Sequence, residues 1–246
     1  MFFDPTYILF VMLPALVLSL GAQMLVRNAY EKWSKVRNSA GLTGTQVAQT
    51  IMARTGLGTQ QAPTVGAYDY APAGAMGISL ARVRGQLTDN YDPSTRTVNL
   101  SDAVANQASV VAMAVTAHEL GHAQQHEQNS ILIQMRNFLV PAVQISPLMA
   151  YGMIFLGLFL QITSLFWLGI IVFGVMVIFT LLTLPVELDA SRRGLALLSE
   201  SGLLQTADDS TGSRQVLTAA ALTYVAAAVT AVLELLYFIT LGGRRR

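Results

Sequence analysis

The fifty residues N-F-L-V-P-A-V-Q-I-S-P-L-M-A-Y-G-M-I-F-L-G-L-F-L-Q-I-T-S-L-F-W-L-G-I-I-V-F-G-V-M-V-I-F-T-L-L-T-L-P-V, Asn137 to Val186, contain no Asp, Glu, Lys or Arg. One bilayer crossing needs about 20 apolar residues, each rising about 1.5 Å along a helix. Fifty are too many for one crossing and enough for two. The polar patch Gln161-Ile162-Thr163-Ser164 interrupts the run and predicts the turn of a helical hairpin, with spans at 139–160 and 164–185.

Outward from the hairpin, the whole 246-residue chain is 53% hydrophobic and only 12% charged. Soluble domains carry roughly 25% charged residues. A third span is expected from Tyr7 to Val26. The basic residues Arg27, Lys32, Lys35 and Arg37 follow it, which is the pattern of an uncleaved anchor whose C-terminal end faces the cytoplasm. A signal peptide would carry its basic segment before the apolar one. A fourth apolar segment, Leu217 to Leu241, is interrupted only by Glu234 and either spans or packs on other helices. The topology is strained there. Arg136, Arg192 and Arg193 argue for a cytoplasmic side, whereas a fourth crossing would carry Arg244, Arg245 and Arg246 outside.

The net charge of +1 makes no case for nucleic acid. The basic stretch after the first span instead suits anionic lipid headgroups. There is no cysteine, so disulfides and thiolate zinc sites are excluded, and any metal must be held by His and carboxylate.

Residues 27–136 have ordinary polarity. Thr43 to Gly56 reads as a capped short helix with Val47, Ile51 and Met52 on one face, and residues 58–77 as a Gly/Ala/Pro-rich loop. Val83–Leu87 and Thr97–Leu100, flanking the turn cluster Asp89–Thr95, read as a small hairpin. The hairpin is either plain surface structure or an edge that receives an extended peptide. Ser101 or Asp102 is expected to cap a helix running to about Gln128.

That helix carries T-A-H-E-L-G-H-A-Q-Q-H, Thr116 to His126, with all three histidines of the chain. Residues i and i+4 share a helix face, so His118 and His122 can serve one ion. Glu119, about 100° around the helix, is placed to reach a water instead. H-E-x-x-H therefore implies one zinc per chain, a water with its pKa lowered to about 7, and Glu119 as general base for peptide-bond hydrolysis. Gly121 leaves room for another backbone to approach.

The third ligand has several candidates. His126 lies about 12 Å from His118 along the axis, too far for one ion, and reads as structural or as a partner of a ligand. Glu187 is the first carboxylate after the uncharged run, and a hairpin that crosses and returns delivers it to the histidine side. Asp189 is its rival, or the hydrogen-bond partner of a ligand histidine. The oxyanion stabiliser stays open among Arg192, Arg193 and a backbone amide of 97–100.

H-E-L-G-H-A-Q-Q-H, preceded by N-Y-D-P-S-T-R-T-V-N-L-S and followed beyond the hairpin by P-V-E-L-D-A-S-R-R, resembles the membrane-bound neutral zinc metallopeptidase family (zinc peptidase 2). K-W-S-K-V-R and G-L-T-G extend the resemblance over nearly the whole chain. The family is similar in turn to HtpX-type membrane proteases, which have H-E-x-x-H, two spans and then a ligand glutamate in E-x-x-A-D. The resemblance implies His118, His122 and Glu187 as zinc ligands and Glu119 as base. It also implies Thr97, Val98, Asn99 and Leu100 as a substrate-pairing strand. Ser191 stands where the HtpX pattern has its aspartate, so that aspartate's role is not carried over.

The reading is a mainly α, integral membrane zinc endopeptidase with three or four spans and a small β-hairpin. Its parts are an anchor (1–26), a catalytic part (27–136), the hairpin (137–186) and a third-ligand helix with a C-terminal hydrophobic helix (187–246). It is placed in a prokaryotic plasma membrane with the site facing the cytoplasm. Its partners are the bilayer and peptide or protein substrates at the membrane, with oligomers allowed. The rivals are a site-2-type intramembrane protease and a zinc-holding scaffold without catalysis.

Overall fold

The computed structural model describes residues 4–58 and 77–243. The loop expected at 58–77 falls almost wholly outside the described residues, as do Arg244, Arg245 and Arg246. The chain is mainly helical, with seven helices and three short strands among the described residues. The helices are α1 (Pro5–Ser34), α2 (Gly44–Thr55), α3 (Asp102–Asn106), α4 (Val110–Glu127), α5 (Ile131–Phe159), α6 (Thr163–Glu200) and α7 (Ala207–Gly243). The strands are β1 (Ser79–Val83), β2 (Asn90–Asp92) and β3 (Thr97–Ser101). Four of the helices, α1, α5, α6 and α7, are long and apolar enough to cross a membrane.

The chain divides into two compact units. One comprises 1–24, 131–187 and 221–246; the other comprises 25–130 and 188–220. The first is built from the four apolar helices. Val11, Ala150, Ile154, Phe166, Ile170, Phe173, Val177 and Phe238 form its buried core. Small residues let α5 and α6 pack closely. A Cβ on Gly157 would lie 2.5 Å from the Phe166 amide nitrogen, and one on Gly169 would lie 2.8 Å from that of Ile154. Their turn falls at the expected patch, with Gln161 at φ +58°. The expected span 164–185 lies inside a longer helix that contains Pro185. α6 runs unbroken through it to Glu200, as Pro141 and Pro147 are likewise carried inside α5. Buried helices tolerate proline because neighbouring groups satisfy the freed carbonyls. At 38 residues α6 is roughly 57 Å long. A hydrocarbon core is only about 30 Å thick, so the helix has several turns to spare.

In the second unit, α2 begins at Thr43, whose capping box with Gln46 is complete, and ends on Gly56 in the left-handed conformation. Val47, Ala48 and Ile51 pack against Val98, Leu100, Met113, Leu120 and Leu197 in one core. The sheet has the order β1-β3-β2. The hairpin at the Asp92–Thr97 turn is real, but its first strand is Asn90–Asp92, not Val83–Leu87. β1 adds to the other side of β3 in parallel. β3 is therefore central, with its backbone paired on both sides. Thr97, Val98, Asn99 and Leu100 thus do not form an open edge able to receive a substrate strand. Val98 and Leu100 are also buried in the core.

The single helix expected from Ser101 to Gln128 is two helices, α3 and α4. The segment 36–38 captures the backbone where they part. Asn38 N–H donates to Ala108 O at 3.1 Å, and Val110 N–H donates to Val36 O at 2.9 Å. Those groups cannot also serve a continuous helical ladder. Ser109 starts α4 afresh, its hydroxyl accepting from Ala112 N–H at 3.1 Å. Ser109→Ala is expected to cost about 1 kcal/mol, read as a lower melting temperature of the detergent-solubilised protein. An unchanged melting temperature would show that the 36–38 bridge sets the start of α4 without the cap.

Candidate metal centre

α4 is buried on almost every side, from Val110 to Ala123. It lies against the stretch of α6 beyond Leu188 at backbone distance. A Cβ on Gly121 would overlap the carbonyl oxygen of Ala190. A Cβ on Gly194 would lie 2.7 Å from Ala117 O and 3.0 Å from His118 N. Two glycines, one on each helix, thus create the close approach. Glu187 lies one turn before Ala190 on the same unbroken helix.

The consequence is two i,i+4 pairs in register: His118 and His122 on α4, and Glu187 and Ser191 on α6. His118, His122 and Glu187 each offer a ligand atom, and these three atoms lie within 4.8 Å of one another. Glu187, Glu119 and His122 are buried, with 3%, 7% and 8% of their surface exposed, although charged groups are rarely buried without a partner.

Each histidine has an outer partner at Nδ1, and for His122 that partner decides which ring nitrogen is offered. Gln125 Nε2 donates to Asp189 Oδ2 at 2.9 Å, and Gln125 Oε1 lies 3.0 Å from His122 Nδ1. The Asp189 carboxylate can only accept, so it turns the Gln125 amide with its oxygen toward His122. His122 then carries its proton on Nδ1, donates it to Gln125, and leaves the Nε2 lone pair for a ligand bond. Asp189 is itself held by Arg192 Nη2 at 2.7 Å and Arg193 Nε at 2.6 Å. Arg193 also donates to Gln124 and Gln128. On the other histidine, Ser191 Oγ lies 3.2 Å from His118 Nδ1. Two imidazoles oriented through Nδ1, with a carboxylate beside them and no thiolate, form a donor set that fits zinc.

His126 is not in the cluster. Its Nδ1 lies 2.8 Å from the Tyr91 hydroxyl. Burial, and then the charge of Arg96, lowers its pKa, while burial pushes the Tyr91 phenol up to about 12. This hydrogen bond between imidazole and phenol ties α4 to β2. Asp189 acts on the site through Gln125. Gln125 and Ser191 were missed as partners in the sequence. The available signal was spacing: each shares a helix face with a ligand, at i+3 from His122 and i+4 from Glu187.

Over residues 7–242 the chain matches a protein family described as "Putative neutral zinc metallopeptidase". The chain belongs to this family. Among the family's relatives, the Bacillus subtilis (strain 168) protein named "Putative membrane protease YugP" is 38% identical to it over 242 residues. That match covers 96% of this chain and 97% of the relative. No solved structure matches the chain. Family membership and the four apolar helices together support a membrane location.

Gln125→Leu and Ser191→Ala are each expected to weaken zinc binding about 10- to 100-fold, the usual effect of losing a ligand's hydrogen-bond partner. Competition with a chromophoric chelator measures it. Unchanged affinity in both variants would mean that the imidazoles are held by something else.

Proposed function

We propose that the chain is a membrane-embedded zinc metalloendopeptidase. The observation that carries this reading is the convergence of His118, His122 and Glu187 donor atoms within 4.8 Å, on two helices whose outer residues orient both imidazoles. One zinc per chain is expected there. When bound, it supplies a Lewis acid for the scissile carbonyl and lowers the pKa of a coordinated water to about 7. Glu119, next to His118 and outside the ligand cluster, accepts the proton of the attacking water and returns it to the departing amine nitrogen. Glu187, His118 and His122 hold their geometry throughout, and the burial of all but His118 limits competing solvent.

The order H-E-x-x-H, two apolar helices, then a ligand glutamate supports a relation to HtpX-type proteases. Ser191, against His118, stands at the position of their aspartate. The basic residues after the first span, with Arg136, Arg192 and Arg193, support a site on the cytoplasmic side of a prokaryotic plasma membrane. Substrates are then peptide segments at or near that surface. A site-2-type intramembrane protease is disfavoured because α4 is not among the four membrane-length helices. A catalytically silent zinc scaffold would have no use for Glu119.

Purified wild type and Glu119→Gln are expected to bind equal zinc, with cleavage of an unfolded model protein reduced at least 1,000-fold in the variant. Equal cleavage by both would remove Glu119 as the base. Zinc in both without cleavage by either would favour the scaffold.

A further inference from the structure

Hydrolysis of an amide needs a donor for the carbonyl oxygen as it gains negative charge, and such donors are among the largest contributors to catalysis. The positions first considered for it are occupied. Arg193 is committed to Asp189, Gln124 and Gln128. Arg192 lies 80% exposed against Asp189. The β3 backbone is paired within the sheet.

Among the described residues, Arg136 is a further cation beside the cluster. Arg136, in the second turn of α5, places Nη2 3.9 Å from Glu187 Oε1, with its side chain 30% exposed. That distance is an electrostatic contact rather than a hydrogen bond. Its Nε–H is buried and has no hydrogen-bond partner among the described residues. A buried guanidinium donor left without a partner is costly. The same guanidinium faces a carboxylate of the candidate metal cluster through Nη2. A carbonyl oxygen drawn to an ion held by Glu187 would lie beside that carboxylate, which the Arg136 guanidinium borders.

We propose that Arg136 is the oxyanion-stabilising residue, donating to the scissile carbonyl oxygen as it becomes tetrahedral. This rests on the zinc peptidase reading above. An alternative role, as a fixed counter-ion that merely positions Glu187, makes the opposite prediction for zinc. A positive charge beside a ligand carboxylate opposes uptake of a divalent cation. An oxyanion donor can therefore be removed with zinc affinity kept or raised, whereas loss of a positioning partner weakens zinc.

The test is titration of zinc, and then of a phosphinic pseudopeptide blocked at both ends, into detergent-purified wild type, Arg136→Gln and Arg136→Lys. The phosphinic group mimics the tetrahedral state, and the blocked ends exclude recognition of a terminal carboxylate. Arg136→Gln is expected to hold zinc at least as tightly as wild type and to bind the phosphinic peptide at least tenfold more weakly. Arg136→Lys, which keeps the charge but not the planar fork, is expected to fall between. If Arg136→Gln does not fold, the lysine variant carries the test alone through its smaller loss. Unchanged phosphinic affinity at full zinc occupancy overturns the proposal and leaves the peptidase reading intact. Zinc loss in a folded Arg136→Gln overturns it in favour of the counter-ion role. Wild type that binds no zinc removes the peptidase reading and this proposal together.

Discussion

The candidate site depends on one steric constraint: α4 and the later part of α6 meet at backbone distance because Gly121 and Gly194 carry no side chain. Any Cβ there would enter the Ala190 carbonyl or crowd Ala117 and His118. Helices separated by ordinary side chains lie about 8–10 Å apart. Closer approach lets two short side chains, a histidine from one helix and a glutamate from the other, reach one point. The i,i+4 repeat on each helix then sets four groups face to face, and three of them are donors.

The second constraint is chemical. Buried Glu119, His122 and Glu187 would be costly in an apolar setting without partners. The surrounding polar groups form a directed chain: two arginines on Asp189, Asp189 on Gln125, Gln125 on His122. Each link sets the orientation of the next, because a carboxylate can only accept and a guanidinium can only donate. The chain ends in an imidazole whose other ring nitrogen belongs to the cluster of donors.

Much of this was legible in sequence, for identifiable reasons. The uncharged run Asn137–Val186 shows two membrane-length helices because length and charge alone decide that question. His118 and His122 declare their shared face by spacing, and Thr43 to Gly56 shows both caps. Glu187 could be nominated by topology but separated from Asp189 only by resemblance, since both follow the same span. What stayed hidden depended on long-range pairing. β1 pairs with β3 across an intervening loop and strand, so β3 could not be seen to be central. The break at Gln107–Ser109 comes from hydrogen bonds to Val36 and Asn38, some seventy residues away. The continuation of α6 past the expected span end at 185, through Pro185 to Glu200, was not visible either, because proline breaks a helix in water and is carried inside one only where neighbouring groups serve the freed carbonyl.

The central claim is that one ion is held by two histidines of α4 and a glutamate of α6. Zinc-edge X-ray absorption on the purified protein, wild type beside Glu187→Gln, tests it most directly. The account predicts about one zinc per chain with two imidazoles and otherwise oxygen donors, and loss of most of that zinc in the variant. A stoichiometric site with three imidazoles, retained in Glu187→Gln, would contradict it by showing that His126 supplies the third ligand.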